Sequence, residues 1–136
     1  MTEKRARGLV AGAWGLAFLF SLAIPLVLHL LGRIKDETLK DAVLQISSAY
    51  APYLGAIVGY FAASTSTQKA LKRHLPFVVA CWGALLWNAL VIGILLKAAL
   101  VAAPIKPALK LLTEVTPPLA WLVAPVISYY FGKSHE

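Results

Sequence analysis

Three polar side chains lie within or at the ends of the apolar runs, and they are the first places where chemistry could occur. Asn88 is the one strongly polar residue deep inside an apolar run. An amide in hydrocarbon must face another helix or water. Asn88 therefore reads either as an interhelical hydrogen bond, about 0.6–2 kcal/mol, or as a pore-lining or substrate-contacting group. His29 closes the first apolar run and Glu114 precedes the last, and both read as interfacial. The three histidines, His29, His74 and His135, lie far apart without ligand spacing, and Cys81 is the only cysteine. That leaves no internal disulfide, no cysteine-based metal site and no expected cofactor or metal. A nucleophile–base pair, a phosphate-binding glycine loop and a zinc helix motif are all missing from the sequence, so catalysis is not expected.

The other spacing that carries meaning is four residues. Ala51, Gly55, Gly59 and Ala63 fall on one ridge of a helix, and Ala120, Ala124, Ser128 and Gly132 repeat the pattern. An aromatic pair lies inside each ridge, Tyr60-Phe61 and Tyr129-Tyr130. Lipid gives helices no hydrophobic reason to associate, so close backbone approach at small residues decides which faces meet. Gly55 and Gly59 form a GxxxG pair, and Gly8 and Gly12 form another at the membrane edge. The ridges are read as packing of the second span against the fourth, with the remaining face available to another copy of the chain.

The elements that carry these residues follow from composition. Of 136 residues, 60% are hydrophobic and 14% charged, and the mean hydropathy is +0.74. A soluble domain is about 45–50% apolar and ~25% charged, and one this small buries only ~65–70% of its unfolded surface. A bilayer removes that limit, so the expected class is an all-α integral membrane protein. The net charge is +7, but Lys and Arg cluster beside apolar runs, as flanks of membrane helices do, and nucleic acid is not an expected partner.

Four spans are expected at about 9–31, 47–63, 75–96 and 112–131, forming one four-helix bundle over residues 1–136. The first follows a basic start with Lys4, Arg5 and Arg7. Ser21 and Ala23 resemble a signal-peptide cleavage site, yet the apolar run continues to Leu31, so the segment is read as a retained span. Pro25 is expected to kink it. Residues 32–46 read as a short amphipathic segment at the membrane surface, with Leu39, Ala42, Val43 and Ile46 on one face, or as an extension of the second helix. Tyr50, Pro52 and Tyr53 then fit an interfacial belt at the start of the second span. Ser64–Gln68 read as a polar loop, followed by Lys69, Lys72 and Arg73. In the second long connection Ile105, Leu109 and Leu112 share a face, and Thr116-Pro117 form a plausible helix start, with a start near Leu111 as the alternative.

The two hairpins look related. Lys4-Arg5 precedes Trp14-Gly15 as Lys72-Arg73 precedes Trp82-Gly83, an offset of 68, while the ridges are offset by 69. This divides the chain into repeats 1–66 and 69–136 related by an axis along the membrane normal. With the N-terminus in the cytoplasm, basic residues divide seven inside against six outside, and the clusters beside spans one and three favour that orientation.

For function, small multidrug resistance exporters match the size but depend on a membrane-embedded glutamate that the first span lacks. Small fluoride channels carry Gly-Arg and Gly-Thr motifs that are missing here. The ending YYFGKSHE resembles the ends of many small bacterial and phage membrane proteins over a handful of residues. The expectation is a bacterial inner-membrane protein, with both termini cytoplasmic, that self-associates into a holin-like or effector-like pore. The competing expectation is a non-conducting accessory or scaffold subunit of a larger membrane complex. A small-solute transporter ranks below both.

Overall fold

The computed structural model describes residues 3–63 and 74–132, and these form four α-helices: α1 Glu3–Leu30, α2 Asp36–Ala63, α3 His74–Leu100 and α4 Ile105–Gly132. Each is long and apolar enough to cross a membrane, and no strand occurs among the described residues. The expected all-α four-helix bundle is therefore the observed fold. The Ser64–Gln68 loop, the basic cluster Lys69, Lys72 and Arg73, the tail from Lys133, and the side chains of Ala63 and Gly132 lie outside what is described.

The helix starts differ from the hydropathy boundaries. Residues 36–46 are the opening turns of α2, so the extension reading of the first connection is the one the structure supports. α4 likewise begins at Ile105, well before Leu111 or Thr116-Pro117, and is continuous through Pro117, Pro118 and Pro125. The reason is that an apolar run marks where hydrocarbon begins, whereas a helix begins where its backbone can be capped and paired. Asp36 and Glu37 occupy the first turn of α2, where carboxylates complement the helix dipole.

α1 ends in a Schellman turn. Gly32 takes a left-handed φ of 71°, its N–H donates to the His29 carbonyl, and the Arg33 N–H donates to the Leu28 carbonyl. After α3 the left-handed position falls to Ala102, at φ 54°, with Pro104 following. Glycine takes this conformation without penalty; alanine does not.

Around the bundle the order is α1, α2, α4, α3: α1 packs on α2 and α3, and α4 packs on α2 and α3. The halves come into structural register at an offset of 70. Gly32 and Ala102, the two left-handed turn residues, are 70 apart. Val10, Trp14, Ser21, Pro25 and Leu28 of α1 are buried, as are Ala80, Ala84, Val91, Leu95 and Ala98 of α3. Tyr60-Phe61 thus corresponds to Tyr130-Phe131 rather than to Tyr129-Tyr130. Trp14 and Trp82, equated by the offset of 68, have opposite environments: Trp14 is fully buried and Trp82 is 66% exposed. Corresponding helices are neighbours, α1 beside α3 and α2 beside α4. A two-fold axis along the bundle would place them across the diagonal, so the expected axis does not relate them.

Candidate functional site

The centre of the bundle is aromatic. Trp14 of α1 stacks on Tyr53 of α2 at 4.5 Å between ring centroids, and Tyr53 meets Trp87 of α3 edge-on at 4.8 Å. Tyr50 meets Trp14 edge-on at 5.9 Å. Each such pair contributes about 0.5–1.5 kcal/mol beyond its buried area. Because Tyr53 reaches across the α2–α3 diagonal, these rings fill the middle of the bundle, and all four are buried. Tyr50 and Tyr53 were expected in an interfacial belt; they sit at mid-helix because α2 starts at Asp36 rather than at Ser47.

Polar atoms in this centre are treated unequally. The Tyr50 hydroxyl lies 3.2 Å from Ser21 Oγ, which also donates to the Ala17 carbonyl at 2.8 Å. Pro25 has no N–H to offer the Ser21 carbonyl four residues back, so this side-chain bonding adds polar contact where the helix ladder loses one. Tyr53 Oη, Trp14 Nε1 and Trp87 Nε1 are buried without a hydrogen-bond partner among the described residues.

Toward the N-terminal end of α1 sits Arg7, only 3% exposed. Its guanidinium lies 4.5 Å from the Tyr60 ring centroid and 5.4 Å from that of Tyr130. Those two tyrosines are 70 residues apart, so one cation is clamped between a ring of α2 and a ring of α4. Phe131 closes the cluster, 5.6 Å from Tyr60 and 5.2 Å from Tyr130. The sequence reading placed Arg7 among the flanking basic residues. The signal that distinguishes it is its spacing from Val10 and Trp14, three and seven residues on, which sets it on the buried face of α1.

Ala51, Gly55 and Gly59 of the α2 ridge do not pack against another described helix. Ala51, Gly55 and Gly59 are exposed, and a Cβ built on Gly55 or Gly59 meets nothing within 4 Å. The physical reason is competition between faces. Gly55 follows Tyr53 by two residues, about 200° around the helix, and the face with Ala49, Tyr50, Tyr53 and Ile57 takes the core. On α4, Ala120 and Ala124 pack partly against the core while Ser128 is exposed. Among the described glycines, the one that meets a neighbouring helix is Gly83 of α3, whose built Cβ lies 3.6 Å from Val123 of α4.

The three polar candidates are dispersed. Asn88 is half-buried on α3, and its Oδ1 has no partner among the described residues. His29 sits at the α1–α2 turn, with Nδ1 3.1 Å from the Ile34 carbonyl and Nε2 3.3 Å from Asp36. Glu114 is exposed on α4, 3.9 Å from Lys110. No group of three metal-ligating side chains occurs among the described residues. The arrangement offers packing, a clamped cation and an outward ridge, and among the described residues it brings no acid, base and nucleophile together.

These features define a class: a four-helix bundle with helices suited to spanning a membrane and an aromatic, closed centre. Comparison with known protein families finds no match to this chain, and neither does comparison with curated proteins or with solved structures.

Proposed function

We propose that this chain is a bacterial inner-membrane protein that works as a homo-oligomer, with both termini cytoplasmic and with any conducting path formed between copies rather than through one. The observation that carries the reading is the outward ridge of α2. Gly55 and Gly59 keep their backbone bare on the outer face of α2, and nothing among the described residues approaches it. A glycine inside a helix costs roughly 0.8–1.0 kcal/mol against alanine, and close contact with another helix is the return that membrane packing gives for it. The filled centre supports placing a path at the junction of subunits. The reading is non-enzymatic.

The same filled centre favours a second reading, a non-conducting subunit whose α2 ridge docks on a different membrane protein. Two measurements separate them. The oligomeric state in mild detergent falls in Gly55→Leu with Gly59→Leu if copies meet at the ridge; unchanged size removes self-assembly there. Dye or ion flux from liposomes holding the pure protein supports a pore, and its absence at every oligomer size leaves the accessory role.

A further inference from the structure

α2 and α4 run side by side, and a cleft between them changes character with depth. Its outer part, about 440 Å³, is lined by Asp41 and Gln45 of α2 and by Lys106, Lys110, Thr113 and Glu114 of α4. Its inner part, about 240 Å³, shares Gln45 and Thr113 and continues along Ser48, Pro52, Pro117 and Ala120 to a floor formed by Tyr53 and Trp87. Thr113 Oγ1 and Gln45 Oε1 lie 3.1 Å apart where the two parts meet.

Depth places this cleft across the membrane boundary. α2 and α4 have 28 residues each, about 42 Å of helix against a hydrocarbon core of ~30 Å. Beyond Gln45 on α2 and beyond Glu114 on α4 no Lys, Arg, Asp or Glu occurs up to the helix end. The excess length therefore stands at the Asp36 end, in the headgroup layer. That placement would set the charged part of the cleft at phosphate depth, the Gln45–Thr113 neck at the depth of ester carbonyls, and the slot at the depth of acyl chains.

We infer that this cleft is a binding site for a zwitterionic phospholipid bearing a primary ammonium, drawn from the surrounding leaflet. Two cations and two carboxylates line the mouth. Lys106 and Lys110 match the phosphate, and Asp41 and Glu114 match the ammonium. An anionic head would leave both carboxylates facing like charge. Carboxylates only accept hydrogen bonds, so Asp41 and Glu114 favour a head that brings donors. An ammonium carries N–H donors; a choline head carries none. The prolines and Ala120 leave a slot for one acyl chain. The inference stands independently of self-assembly, since the cleft lies within one chain.

The test is native mass spectrometry of the intact protein released from mild detergent, with phosphatidylethanolamine, phosphatidylcholine or phosphatidylglycerol of identical acyl chains added. The ethanolamine lipid binds first and most strongly. Lys106→Glu with Lys110→Glu weakens it about tenfold, the scale of one lost charged hydrogen bond. Asp41→Lys with Glu114→Lys turns the preference toward phosphatidylglycerol. Ser48→Trp plugs the slot and lowers the first adduct, while Val58→Trp, on the exposed face of α2, leaves it unchanged. All six substituted positions are exposed, and circular dichroism checks that each variant keeps its helix content. Equal binding of the three lipids overturns the inference, as does a Ser48→Trp protein that binds as the parent does.

Discussion

The unequal treatment of the two core tyrosines gives the sharpest prediction. Tyr53→Phe removes a buried hydroxyl that has no partner among the described residues and keeps the ring that stacks on Trp14 at 4.5 Å and meets Trp87 at 4.8 Å. An unpaired buried hydroxyl costs about 1–3 kcal/mol in proteins, so this substitution is expected to stabilise the bundle by roughly 1 kcal/mol or more. Tyr50→Phe removes a hydroxyl that faces Ser21 at 3.2 Å. Interhelical hydrogen bonds in membranes are worth about 0.6 kcal/mol on average and ~1.7 at most, so this variant is expected to lose that much. The two differ by one oxygen each, and their effects have opposite signs. The assay is unfolding by sodium dodecyl sulfate in mixed micelles, followed by far-ultraviolet circular dichroism, because ring signals would report the substituted site itself. A Tyr53→Phe protein less stable than its parent by about 0.5 kcal/mol or more would refute the reasoning, since only a paired hydroxyl is missed when removed. Water inside the aromatic centre would then be the partner, and a path through one chain would come back into consideration.

Four further outcomes are expected. Ala102→Gly relieves a left-handed alanine and stabilises by roughly 0.5–1 kcal/mol, whereas Gly32→Ala costs about as much; thermal unfolding in detergent reads both. Arg7→Met and Tyr60→Leu, combined in a double-mutant cycle, show a coupling of about 0.5–2 kcal/mol, and additivity would dissolve the clamp. Gly83→Ala is tolerated or stabilising because its Cβ meets Val123 at ordinary contact distance, while Gly83→Leu pushes α3 from α4 at a cost of about 1–3 kcal/mol in the same unfolding assay. Gly55→Leu with Gly59→Leu leaves the monomer as stable as the parent or more so, since both positions open onto empty space; a loss of monomer stability would mean the ridge packs internally.

Hydropathy made the four helices legible, because the cost of an unpaired backbone in lipid leaves a long apolar run few other forms. It did not reveal where α2 and α4 begin, since their opening turns are helical yet charged. The four-residue spacing of Ala51, Gly55 and Gly59 correctly marked a single face, but spacing is silent on which way a face turns. That depended on Tyr50, Tyr53 and Ile57 finding Trp14 and Trp87 opposite them. The same limit applies to Trp14-Gly15 and Trp82-Gly83, identical in sequence and opposite in burial. Arg7 was the hardest to read, because a basic residue beside a span ordinarily marks topology, and its aromatic partners are contributed by helices far along the chain.

That last contact bears on how the protein is made. Arg7 emerges from the ribosome long before Tyr130, yet both belong to one cluster. Until α4 is inserted, the guanidinium lacks the Tyr130 ring. A nascent chain halted after α3 would be missing that ring from the cluster, so final seating of α1 waits for α4.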